Sequence, residues 1–356
     1  MSPVLALHDA LVRFPSVSMH EREIADFVEA HARAAGLAVG RHEDNVWAAL
    51  GDGENLLLLA SHLDVVPPSA AHPYDPFTPT TVDGRIYALG AVDAKASGAA
   101  MLQALIDLHR GGFRPDGGRL MVALTACEET GGPYNGLDSL RPTLPPVAAA
   151  IIGEPTGLRP CLAQKGLLIL TATARGRTAH AARAHLGQNA ITGMARDLLR
   201  IDAFAFDKSD PLLGAPTVTA TVIAGGSAKN VVPDTCTVTL DVRSTPAYTH
   251  AELTAVIADA LDADVTVYSD RLVPCATAPD ARIATATRAA LRGLGLDDTP
   301  FGSPTASDWV FLADVPAVKL GPGRSELSHT PDEHVDAAEV ERAVDVYAAI
   351  ATAYFA

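Results

Sequence analysis

His62, Asp93, Glu128, Glu129, Glu154 and His329 are the residues of this chain best suited to holding metal ions, and the first five share a setting. His62 follows the apolar run 56–61, Asp93 the run 89–92, the Glu128-Glu129 pair the run 120–127, and Glu154 the run 148–153. His329 lies far downstream in the polar segment Ser328-His329-Thr330-Pro331. Short continuous apolar runs bounded by turn residues read as strands buried on both faces. In an open parallel sheet, ligands bind in the crevice beyond the carboxyl ends of the strands. Separate strands would thus deliver acids and imidazoles to one edge, where the acids repel one another unless cations are bound. Histidines with carboxylates suit zinc held through nitrogen and oxygen, and cobalt or manganese accept the same donors. One zinc needs only three protein ligands plus water, so this larger set implies two ions sharing a carboxylate, an arrangement that generates hydroxide near neutral pH. In the adjacent pair Glu128-Glu129, neighbours on an extended or turn segment point different ways. One can ligate while the other faces the water as base.

The elements that must position these residues follow from periodicity. Apolar residues at helical spacing mark a helix over 4–14, ended by Pro15, and a second over 21–35, ended by Gly36. Strands and helices alternate up to residue 152, with a helix over 95–109 stopped by Gly111-Gly112. That alternation predicts an α/β catalytic domain with a mostly parallel sheet flanked by helices. Beyond Gly153-Glu154-Pro155 the texture changes to a strand at 167–174, a helix at 188–200, strands at 217–224 and 235–242, a helix at 250–261 and a strand at 265–268. The order βαββαβ, with alternating strands, predicts a ferredoxin-like α+β domain. The predicted boundaries are a catalytic domain over 1–165 and 272–356, interrupted by the inserted domain at 166–271.

Composition excludes some classes. The 356 residues are 48% hydrophobic and 19% charged, enough for packed cores and against disorder. A net charge of −15, with no basic run or basic–aromatic interleaving, argues against nucleic acid as a partner. No apolar stretch reaches membrane-spanning length, the amino terminus has no basic leader region, and the four cysteines form no Cys-x-x-Cys pair. A cytoplasmic protein without a membrane partner is the expectation. No Gly-x-Gly-x-x-Gly, Walker loop or Gly-x-Ser-x-Gly elbow supports a nucleotide or serine-hydrolase reading.

Five ordered motifs carry a resemblance that runs nearly end to end: His62-Leu63-Asp64-Val65-Val66-Pro67, Asp93-Ala94-Lys95, Glu128-Glu129, Gly153-Glu154-Pro155-Thr156 and His329-Thr330-Pro331-Asp332-Glu333. Together they resemble the M20 family of binuclear zinc amidohydrolases, of the acetylornithine deacetylase and succinyl-diaminopimelate desuccinylase type. The resemblance implies that Asp93 bridges two zinc ions, with His62 and Glu154 completing one site and Glu129 and His329 the other. Glu128 would be general base and then acid to the leaving amine, and Asp64 would orient His62. In the inserted lid and dimerisation domain, His180 would stabilise the oxyanion from a partner subunit in a homodimer. Asn230 and Arg243 would bind substrate, Arg243 by a bidentate fork on its α-carboxylate, and Thr305 and Asp308 would line the pocket.

Three positions depart from the family pattern. Asp93-Ala94-Lys95-Ala96 stands for the common Asp-Met-Lys-Gly, Cys127 for an acid before the glutamate pair, and Ala184 for a proline after the lid histidine. The expected substrate is an N-acyl-L-amino acid, first N-acetyl-L-ornithine, because Asp332 stands where desuccinylases usually carry Asn. The alternatives are N-acetyl-citrulline, N-acetyl-lysine, carrier-linked lysine or ornithine, and N-succinyl-diaminopimelate. A different mechanism would use a Cys127 thiolate with Glu128 and Lys95 and no metal; it leaves His62, Glu154 and His329 unexplained.

Overall fold

The computed structural model describes residues 1–130 and 132–356, which divide into two compact units. The first comprises Met1–Leu162, Thr277–Phe301 and Ser307–Ala356, and the second Ala163–Ala276 with Gly302–Ala306. The sequence reading placed the joins at 165/166 and 271/272 and assigned 302–306 to the catalytic part.

In the first unit the strands lie in the order Ala38–His42, Asn45–Leu50, Gly118–Thr125, Asn55–His62, Val147–Ile152 and Ala317–Lys319. The last four are parallel neighbours, and the first two form an antiparallel hairpin at the edge, so the sheet is mixed. The parallel strands are the continuous apolar runs of the sequence. In Asn55–His62 only the first residue is not fully buried. Helix Lys95–Arg110 is buried through its first twelve positions, as expected of a helix with small or apolar residues all round. Gly153 is required by close packing: a Cβ there would sit 2.8 Å from Met101 Cε and 2.9 Å from Ser97 Cβ. A small three-stranded sheet (Thr80–Val82, Arg85–Tyr87, His334–Asp336) was not anticipated; strands this short carry too little periodicity to read.

The second unit has the expected order. Its strands Thr217–Gly225, Thr235–Ser244, Gly166–Arg175 and Asp264–Leu272 form one antiparallel sheet in that spatial sequence, with helices Ala190–Asp202 and His250–Ala260. Alternate positions of Gly166–Arg175 and Thr235–Ser244 are buried in one apolar cluster with Met194, Leu253 and Ile257. The first helix starts two residues later than its apolar pattern suggests, because Asn189 accepts the Thr192 N–H and caps it. No helix among the described residues is long and apolar enough to cross a membrane.

Leu57 is fully buried in the central strand of the first unit. Leu57→Ala is expected to cost about 2–5 kcal/mol, read from the denaturant midpoint at unchanged slope. A cost below about 0.5 kcal/mol would contradict this packing.

Candidate metal centre

Three parallel neighbours end at one edge of the first unit's sheet. His62 closes Asn55–His62, Glu128 and Glu129 follow Gly118–Thr125, and Glu154 follows Val147–Ile152. Asp93 lies just before helix Lys95–Arg110, and its peptide to Ala94 is cis. His329 leaves the turn after Ser325–Leu327 in a left-handed conformation, φ 61°.

These residues come together. His62 Nδ1 faces the main-chain oxygen of Asp64 at 3.1 Å, which leaves Nε2 toward the acids. That nitrogen lies 3.2 Å from Asp93 Oδ1 and 3.8 Å from Glu154 Oε1. His329 Nε2 lies 2.7 Å from Glu129 Oε1 and 3.6 Å from Asp93 Oδ2. Asp93 therefore turns one oxygen toward each imidazole. One donor atom each from His62, Asp93 and Glu129 lies within 4.8 Å of the other two.

The acids are poorly compensated. Burial, with Glu154 beside it, pushes the Glu128 carboxyl well above its usual range. Burial and the nearby Asp93 push Glu154 up to about 8. Burial also raises Glu129, against the opposing pull of its bond to His329. On His62, burial favours the neutral ring, but the bonds to Asp64 and Asp93 outweigh it and raise the imidazole. His329 is raised to about 9, chiefly by Glu129. A set of two imidazoles and three close carboxylates, buried together, offers the nitrogen and oxygen donors that divalent cations take.

Backbone amides fix the carriers of these side chains. The Asp64 carboxylate faces His62, Oδ1 lying 3.5 Å from Nδ1, and it makes shorter contacts elsewhere as well. Oδ1 accepts the Glu128 N–H and Oδ2 the Glu129 N–H, each at 3.0 Å, and Oδ2 also accepts the Ser18 hydroxyl at 2.7 Å. Glu333 Oε1 accepts the N–H groups of Val92 and Asp93 at 3.0 and 3.2 Å. The role of Glu333 was not legible in the sequence, although it stands four residues after His329. Asp308 is buried; it accepts the Asn135 amide at 2.7 Å and the Thr125 hydroxyl at 3.4 Å. Nothing in the sequence pairs Asn135 with Asp308. Lys95 is buried, donates to the Phe14 carbonyl at 2.9 Å, and is pushed down to about 7 by burial.

Cys127 is 1% exposed, and burial followed by contact with Glu21 pushes its thiol up to about 12. That setting disfavours a thiolate nucleophile at neutral pH and so speaks against the metal-free cysteine mechanism.

His180, Asn230, Arg243 and Thr305 all belong to the second unit. His180 is exposed, and its Nδ1 accepts the Ala182 N–H at 3.1 Å. It pairs across to Val231, and the Asn230 carbonyl accepts the Ala181 N–H, so the His180 and Asn230 segments adjoin. Arg243 lies elsewhere on the sheet, with Nε and Nη2 engaged by Asp241 at 2.8 and 3.1 Å. The Thr305 hydroxyl lies 3.0 Å from that of Ser303.

Cations binding these donors must displace protons. Glu154, raised to about 8, is largely protonated at pH 7 before a cation arrives, so binding releases protons and tightens as pH rises. Calorimetric titration of chelator-treated protein with zinc, in two buffers of different ionisation enthalpy, is expected to show net proton release. A buffer-independent heat would contradict this.

The pattern of Peptidase family M20/M25/M40 matches residues 58–353. A succinyl-diaminopimelate desuccinylase of Methylobacterium radiotolerans is 31% identical over 99% of this chain and 96% of its own length. An Aspergillus terreus protein named as a probable carboxypeptidase is 30% identical over 97% of this chain and 85% of its own length. The fold matches aminopeptidase PepT of Bacillus cereus, with a TM-score of 0.83 at 22% identity over 99% of this chain and 98% of that one. A Bacillus subtilis dinuclear metal-binding M20 peptidase gives 0.74 at 16% identity over 98% and 96%. Metal-dependent amide hydrolysis is a chemistry that the acids and imidazoles gathered at the sheet edge suit, and the chain belongs to peptidase family M20/M25/M40.

Proposed function

We propose that this enzyme cleaves the N-acyl amide of a diamino acid, with N-succinyl-diaminopimelate the first candidate in place of N-acetyl-L-ornithine. The supporting observation is the relation to desuccinylases: those of Methylobacterium radiotolerans and Parvibaculum lavamentivorans are 31% and 29% identical over 99% and 97% of the chain. The earlier preference for acetylornithine rested on Asp332. That residue is exposed, and only its main-chain oxygen is used, by His334 Nδ1 at 2.7 Å, so its side chain is a weak guide to substrate.

Two zinc ions, replaceable by cobalt or manganese, would be held by His62, Asp93 and Glu154 and by Asp93, Glu129 and His329. When bound, they supply Lewis acidity to the attacking water and the scissile carbonyl. Glu128 takes the proton of that water on a carboxylate oxygen and returns it to the departing amine nitrogen. Asp64 holds the peptide N–H of both glutamates, which fixes Glu128 against its neighbour Glu129. The remaining roles fall to the second unit: His180 at the oxyanion, Asn230 and Thr305 at the substrate, and Arg243 on a substrate carboxylate. Arg243 has donors left beyond the two that Asp241 engages.

The second unit's own geometry favours a homodimer. The His180 and Asn230 segments adjoin the Arg175 end of strand Gly166–Arg175, whereas Arg243 pairs with Leu167 at the other end. Eight residues of strand separate Leu167 from Arg175, roughly 26 Å at strand rise. Residues placed this far apart are more readily brought to one small substrate from two chains than from one, which supports the reading of His180 acting from a partner subunit.

Glu128→Gln is expected to retain cations and lose roughly 10²–10⁴-fold in kcat. A panel of N-succinyl-diaminopimelate, N-acetyl-ornithine, N-acetyl-lysine and a dipeptide, with zinc restored or chelated, tests the substrate. Metal-dependent release of diaminopimelate supports the proposal, and preferential cleavage of the dipeptide would favour the carboxypeptidase-like relatives. Mixing His180→Ala with Glu128→Gln subunits is expected to restore activity in heterodimers. No rescue in verified heterodimers would contradict action across subunits.

A further inference from the structure

We infer that Glu21 is a positioning residue for Glu128, acting through the Cys127–Glu128 peptide. The inference rests on the reading of Glu128 as general base.

Glu21 stands immediately before helix Arg22–Ala34, where a carboxylate would ordinarily cap the helix, but its side chain makes no cap bond. It is 1% exposed, and Oε1 accepts the N–H groups of Met19 and Cys127, each at 3.0 Å, with the Cys127 thiol at 3.2 Å. Cys127 has φ 58°, in the left-handed region that side-chain-bearing residues rarely adopt. Such a conformation persists only where its surroundings over-determine it. Here the Cys127 N–H is held by Glu21, and the next two N–H groups are held by Asp64. Three consecutive amides are thus pinned by two buried carboxylates, and this turn sets where Glu128 and Glu129 leave their strand.

Glu21 is itself anchored to the opposite side of the centre. In the segment before it, Ser16 Oγ donates to the Leu63 carbonyl at 2.7 Å and Ser18 Oγ to Asp64 Oδ2 at 2.7 Å. The Ser16 carbonyl accepts the Val65 N–H at 3.0 Å. One segment therefore grips both the strand end that bears His62 and the turn that bears Glu128. Displacing the turn by a fraction of an ångström would move the base relative to the water it serves, a kind of misplacement that costs up to roughly 10²-fold in rate.

The test compares Glu21→Gln, which keeps an oxygen at the same reach, with Glu21→Asp, which withdraws the carboxylate by one methylene. Both are combined with Glu128→Gln, and kcat, KM, melting temperature and zinc stoichiometry are measured for each. Glu21→Asp is expected to lower kcat roughly 10–100-fold, with KM and zinc stoichiometry nearly unchanged. Glu21→Gln should retain most of the rate, and Glu21→Asp should cost nothing further once Glu128 is Gln. Full kcat in Glu21→Asp beside an inactive Glu128→Gln would overturn this inference alone. So would an equal loss on both backgrounds, or loss of bound zinc together with the rate. Full turnover in Glu128→Gln would overturn the reading of Glu128, and this inference with it.

Discussion

Crowding of buried acids at one sheet edge is the constraint to which the rest of the molecule answers. Asp64, Asp93, Glu128, Glu129 and Glu154 converge where burial already disfavours ionisation, and several of them are pushed above the ordinary carboxyl range. Asp64 and Asp93 stay ionised because His62 and local hydrogen bonds outweigh their burial. Without cations, such a cluster weighs on the stability of the fold. With them, on the proposed reading, the same acids become ligands and a base. The parallel sheet makes the cluster possible by ending three neighbouring strands together, and the all-buried runs that build it leave their polar residues only at the ends.

Repelling groups keep their places only if the backbone that carries them is held. Here the holding is done by carboxylates that accept peptide N–H groups, among the stronger hydrogen bonds available to a protein. Glu21 takes Cys127, Asp64 takes Glu128 and Glu129, and Glu333 takes Val92 and Asp93. The Glu333 N–H in turn donates to the Thr330 carbonyl, which ties the loop of His329 to the loop of Asp93. These bonds explain why acids with no direct part in the chemistry lie buried beside it.

The strands bearing His62, Glu128 and Glu154 were legible because a strand buried on both faces leaves a continuous apolar run in the sequence. The second unit was legible for the opposite reason, its two inner strands Gly166–Arg175 and Thr235–Ser244 being half-buried and alternating. Strand Ala38–His42 and the small sheet holding His334 left no such mark, being short or only partly buried. Glu21, Asn135 and the Asp64–Glu128 bond were not legible either. Each depends on a tertiary approach between segments scores of residues apart, and an acid buried for its backbone contacts looks in sequence like any other surface acid. Substrate choice was not legible at Asp332, because a motif position carries no information on which way its side chain faces.

Anomalous X-ray scattering from crystals of the zinc-loaded protein tests the central claim most directly. Two peaks are predicted, one among His62, Asp93 and Glu154 and the other among Asp93, Glu129 and His329, with Asp93 touching both. A single peak, or zinc bound away from Asp93, would contradict the account.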